Sequence, residues 1–244
     1  MISAQPSSPL PFPRQTLEAA RRFFRLYPDW WCGALAALSW SLILSGAWSH
    51  GAHGAHGSTP FSRELSNWIL MVAAMMLPLV LPMLRIASAL SFWSRRHRTI
   101  ALALTGFFFP WFALGLAAAA VRGFPWAHSP LAPPLAFAAA ALWIATPFHR
   151  RGLIRCHSRL PLAPDGWRAD RDCLRYGYAI GAACCASCWP LMLACAFTGH
   201  QLIAMAGGFA IGVLERTSFR PQRRKGIALT LTLAAFYLFQ ALTP

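Results

Sequence analysis

The sequence predicts an all-α protein, a polytopic transmembrane helix bundle of about seven helices, or six if one short segment fails to span. Three observations carry that expectation. The 244 residues are 57% hydrophobic and only 12% charged, about half the charged share of a soluble domain. Apolar runs long enough to cross a bilayer recur along the chain. The basic residues gather in short clusters between those runs, as loops of a membrane protein do. A formal charge of +15 would suit nucleic acid if it formed one patch. Scattered between apolar runs it does not, so nucleic acid is excluded as a partner and the lipid bilayer takes its place.

Residues 1–28 form a basic segment expected to be disordered and cytoplasmic. Pro6, Pro9, Pro11 and Pro13 break any regular element. Arg21, Arg22 and Arg25 lead straight into the first apolar run, with no cleavable signal peptide before them. Residues 29–244 then make a single transmembrane helical domain. Its apolar runs cover 30–48, 65–84, 99–121, 134–148, 176–198, 201–215 and 226–243. A spanning helix needs about 20 residues, so the fourth and sixth runs are the short ones. They would be tilted, re-entrant or extended by flanking polar residues.

Orientation follows from charge. With the N-terminus inside and strict alternation, 20 of the 22 basic residues face the cytoplasm, leaving only Arg63 and Arg122 outside. The C-terminus then lies outside, which in a bacterial inner membrane means the periplasm. The loop from His149 to Arg175 is the longest internal one and too short for a domain.

Sulfur dominates the chemistry. The fifth run holds Cys184-Cys185-Ala186-Ser187-Cys188-Trp189-Pro190-Leu191-Met192-Leu193-Ala194-Cys195. At helical spacing Cys184, Cys188, Met192 and Cys195 fall along one face, with Cys185 beside it. Buried thiols can be plain packing. Clustered thiols select Cu(I), zinc or iron–sulfur iron over hard cations. With seven cysteines, most inside apolar runs, a disulfide framework is disfavoured. The second run adds Met71, Met75 and Met76, which are packing residues or neutral soft donors to Cu(I). Pro78, Pro82 and Pro190 each free a carbonyl one turn back, to a site or to a neighbouring helix. At about 1.5 Å per residue, Cys184, Cys188, Met75 and Met76 all sit near the middle of the bilayer.

Three further features stand out. His50, His53 and His56 alternate with Gly and Ala in a loop, which is either a metal-capturing tract or a flexible low-complexity segment. His200 lies on the same side. Glu215, an acid bordering the sixth run, either pairs with Arg216 or a loop arginine or has a function of its own. Cys156-His157 and Cys173 in the inner loop are candidate exit ligands, with arginines nearby to favour thiolate.

The stretches Trp68–Pro82, Ala145–Pro161 and Gly181–Met192, with the helix ending at Glu215, resemble the predicted metal-binding integral membrane proteins of domain-of-unknown-function family 2182. The most specific parts are Ala74-Met75-Met76-Leu77-Pro78 and the cysteine stretch through Cys188-Trp189. Members are commonly labelled copper chaperones or metal-binding proteins. The resemblance implies roles for Met75, Met76, Pro78, Cys156, Cys184, Cys188, Trp189 and Glu215. Where the family has a vicinal Cys-Cys before the Trp, this chain has Ser187-Cys188; Gly152 and Ile180 stand where a cysteine and a histidine are usual.

The expected function is therefore a copper-handling membrane protein, not an enzyme. It binds Cu(I), with zinc or another soft metal as the alternative cargo, and delivers it to a cuproenzyme or another membrane subunit. The expected ligands are Cys184 and Cys188 with Met75 or Met76, and Cys185, Met71, Met192, Cys156 and Glu215 complete the candidate set. A thiol–disulfide oxidoreductase using Cys185 and Cys188 is the first alternative, although no cation adjoins that pair in sequence. An accessory subunit of a membrane metalloenzyme is the second.

Overall fold

The computed structural model describes residues 26–45, 61–157, 161–217 and 223–243, together with Thr16 and Glu18. The His50, His53 and His56 loop and most of the predicted disordered tail, 1–28, lie outside the described residues; Thr16, Glu18 and Leu26 within that tail are helical. Eight α-helices and no strand are found among those described. They are α1 (Trp30–Leu44), α2 (Phe61–Ala89), α3 (Arg96–Arg122), α4 (Ala132–Ile144), α5 (Pro147–Cys156), α6 (Gly166–Phe197), α7 (Leu202–Thr217) and α8 (Arg223–Leu242). A short 3-10 turn, Trp93–Arg95, leads into α3.

Among the described residues four helices are long and apolar enough to cross a membrane: α2, α3 with its leading turn, α6 and α8. α1 and α4 are shorter apolar helices. The fourth predicted run is divided. α4 ends at Ile144, and Pro147 opens a separate helix whose first turn is capped by Thr146, which accepts from His149 N at 3.3 Å. The inner loop is thus partly helical, because α5 fills its start and α6 begins at Gly166, ahead of the predicted boundary at 176.

α6 is the hub, packed against α3, α4, α5 and α7. Its seam with α3 is a backbone-to-backbone approach. A Cβ at Gly177 would strike the Ala103 carbonyl, and one at Gly181 the Phe107 carbonyl. Small residues one turn apart let helices close to van der Waals distance. α2 lies against α1, α3 and α7, and α8 against α4 and α7.

Two of the helix-interior prolines, Pro78 and Pro190, are accommodated by tryptophans. Pro78 has no N–H for the Ala74 carbonyl, which instead accepts from Trp40 Nε1 at 2.8 Å. Pro190 frees the Ala186 carbonyl, which accepts from Trp143 Nε1 at 3.2 Å. Each freed carbonyl therefore ties two helices together rather than standing open.

Charges bracket the apolar core of α2. At one end Glu64 meets Arg122 at 2.9 Å; at the other, Arg85 meets the buried Asp29 at 2.8 Å. Glu64 and Arg85 are about 32 Å apart along the helix, close to a bilayer's hydrocarbon thickness.

Candidate metal centre

Three helices bring sulfur to one point, and a fourth brings a guanidinium. Cys184 on α6 is fully buried, and its thiol lies 3.7 Å from Met76 Sδ on α2. Cys188 follows one turn on along the same face of α6. Cys156, the last residue of α5, approaches from the other side and shares the Arg216 guanidinium with Cys184. α5 reaches so close because Gly152 packs on the α6 backbone, where a Cβ would stand 3.0 Å from Ser187 Cβ and 3.2 Å from the Ala183 carbonyl. α7 contributes Arg216, whose Nη2 is 2.6 Å from Cys184 Sγ and 3.5 Å from Cys156 Sγ.

Ser187 supports the group. Its hydroxyl donates to the Cys184 carbonyl at 2.8 Å and lies 3.4 Å from Cys188 Sγ. Beside it, His149 Nδ1 is 2.9 Å from the Ser187 carbonyl. That carbonyl can only accept, so Nδ1 carries the proton and Nε2 faces Glu215 Oε2 at 3.2 Å. Both side chains are almost wholly buried. His149, Ser187, Cys188 and Glu215 line one small cavity with Trp143 and Leu191. Glu215 thus faces His149, and the expected pair with Arg216 does not form, because the guanidinium turns toward the thiols.

The donor set suits a soft cation. Sulfurs bound to one tetrahedral ion at about 2.3 Å stand about 3.8 Å apart, and the Met76–Cys184 separation of 3.7 Å fits. The thiols nonetheless gather around one guanidinium and do not form a closed coordination shell. Among the described residues no three His, Cys, Asp or Glu side chains are grouped so as to hold a metal ion.

The other candidates are elsewhere. Met75 turns from Cys184 toward α7, where its Cε and Cys195 Sγ both close on Gly208. Cys195 Sγ donates to the Ala204 carbonyl at 3.4 Å. Cys185 points the opposite way, toward the Pro110 carbonyl of α3 at 4.0 Å. Met71 and Met192 are buried in the core. His200 sits in the α6–α7 turn near Glu64 and Arg122, with positive φ and with Nε2 buried and unpartnered. Burial pushes its pKa down to about 4, helped by Arg122. Trp189 packs edge-on against Trp143.

Arg216, His149 and Ser187 were not singled out by sequence reasoning. A signal existed for Arg216, a basic residue next to Glu215 just past the last apolar residues of α7. A proximity that depends on four helices cannot be read from one of them.

A family model described as PpoB2, copper chaperone, matches residues 65–239. No curated protein matches. No solved structure matches either.

Proposed function

The chain belongs to the PpoB2 copper-chaperone family, and from that premise we propose that it carries Cu(I) on a sulfur site within a membrane. Cys184 and Cys188 are the principal ligands, and Cys156 and Met76 the further donors. The observation that carries this is the convergence of α2, α5, α6 and α7 on the Cys184 thiol. Copper is the cargo here, and thiolate and thioether are its preferred donors. Met76 is about 18 Å from Glu64 and about 14 Å from Arg85 along α2, so the site lies near mid-bilayer.

The basic clusters orient the bundle with its N-terminus in the cytoplasm and its C-terminus in the periplasm, in a bacterial inner membrane. On that orientation Glu64, Arg122 and His200 mark the periplasmic end. The His50, His53 and His56 loop serves as a capture tract there. The receiving partner is a cuproenzyme or another membrane subunit. A dithiol mechanism draws no support from Cys185, whose sulfur points to α3 while Cys188 joins the cluster.

X-ray absorption on the full chain, purified and loaded with Cu(I), tests the reading. It predicts a sulfur-only shell of two to four donors with bonds of about 2.2–2.3 Å. A shell of nitrogen and oxygen alone, or no bound copper, would overturn it.

A further inference from the structure

The guanidinium of Arg216 stands among thiols and not on a carboxylate. Nη2 touches Cys184 and Cys156, and Nε is buried without a partner. Its sequence neighbour Glu215 is turned to His149. Among the described residues no ion pair joins Arg216 to an acid. Guanidinium keeps its charge in protein interiors, and a buried charge without a partner is strongly destabilising. The groups placed to balance it are the sulfurs.

A Cu(I) ion held by two thiolates carries one net negative charge, which a low-dielectric interior disfavours unless a cation is near. We propose that Arg216 is the built-in counter-ion of the copper–thiolate site and makes that site select a monovalent over a divalent soft cation. The inference rests on the Cu(I) site proposed above. Two thiolates, one Cu(I) and one guanidinium sum to zero. A divalent ion in the same place leaves one positive charge, and its repulsion by the guanidinium is twice as large. Neutrality would then require Cys156 to ionise as a third thiolate, whereas with Cu(I) it stays a neutral thiol. Zinc also takes thiolate, imidazole and carboxylate ligands, so the thioether of Met76 beside Cys184 serves it less well than it serves Cu(I).

Loading is ligand exchange without electron transfer. A carrier's Cu–S bond breaks as a Cu–S bond to Cys184 or Cys188 forms. The proton of the protein thiol leaves on the carrier thiolate, and copper remains Cu(I).

The test uses the full chain in detergent, with Cu(I) affinity measured by competition against a chromophoric Cu(I) chelator and Zn(II) affinity measured in parallel. Arg216→Lys keeps the charge and should stay within about threefold of the parent for Cu(I). Arg216→Gln keeps hydrogen-bonding capacity but loses the charge. It should bind Cu(I) on the order of tenfold more weakly, with the Cu(I)-to-Zn(II) preference reduced. Arg216→Met removes the charge with an apolar chain that a buried position tolerates, and it serves if the Gln variant does not fold by size exclusion and thermal melting. Unchanged Cu(I) affinity in the neutral variants, or an equal loss in the Lys variant, overturns the inference and leaves the copper site standing. A parent chain that binds no Cu(I) overturns both.

Discussion

Helix α6 carries two sulfur groups about 11–17 Å apart, and they are built differently. Around Cys184 and Cys188, thiols from two helices, a thioether from α2 and the guanidinium of α7 meet beside a small cavity with a buried His–Glu pair. Around Cys195, the thiol is tied to the Ala204 carbonyl, and Met75 and Leu191 fill the space over Gly208. Both groups are buried and both contain cysteine and methionine. What separates them is a neighbouring cation. A sulfur that is hydrogen-bonded to a backbone carbonyl and packed against apolar side chains behaves as a small hydrophobe. A sulfur beside a fixed positive charge can become a thiolate ligand.

The largest expected effect is at Cys184, which touches Met76, Cys188, Cys156 and Arg216. Cys184→Ser should abolish stoichiometric Cu(I) binding, measured as copper per chain, and lower the melting temperature because Arg216 loses its nearest sulfur. Retention of full copper would erase the distinction between the two groups.

The adjacent methionines sharpen the comparison. Met76→Leu should weaken Cu(I) binding by roughly tenfold, the loss of one soft donor, at small cost in stability. Met75→Leu should leave affinity within about twofold. Chelator competition on both variants reads the difference, and equal losses would place both thioethers in one site.

A smaller effect is expected at Gly208. An added Cβ would stand 2.9 Å from Met75 Cε and 3.0 Å from Cys195 Sγ. Gly208→Ala should therefore destabilise by about 1–2 kcal/mol without changing copper content. Thermal melting and metal analysis of one preparation check both halves.

The smallest is a pH effect at His200. Its pKa falls from 6.5 to about 4 on burial, so the unfolded chain binds the proton more tightly than the native one. The native state has its full stability above about pH 6.5 and loses part of it as pH falls toward 4. Melting temperatures at pH 7 and pH 5 should differ less in His200→Asn, a residue that tolerates the positive φ there.

The long helices were legible because hydropathy and length decide whether a segment can span. Cys184 and Cys188 were legible as neighbours because a one-turn spacing puts them on one face whatever the packing. Met76 was not separable from Met75. The two point about 100° apart around α2, and only the position of α6 decides which sulfur meets Cys184. α5 was read as the start of the inner loop, with only Pro147 and Phe148 in the fourth run, although Thr146-Pro147 is a helix start in sequence terms. The turn of Arg216 toward thiols, and of Glu215 toward His149, depends on how α5, α6 and α7 close together. Gly152 permits part of that approach, and nothing in the local sequence of α7 announces it.

Copper content of three full-length proteins purified side by side tests the central claim most directly: the parent, Cys188→Ser and Cys195→Ser. The hydroxyl keeps the size of the thiol and can bond to the preceding turn, so both variants should fold. Near one copper per chain is expected in the parent and in Cys195→Ser, and a sharp loss in Cys188→Ser. Normal copper in Cys188→Ser, or an equal loss in Cys195→Ser, would contradict it.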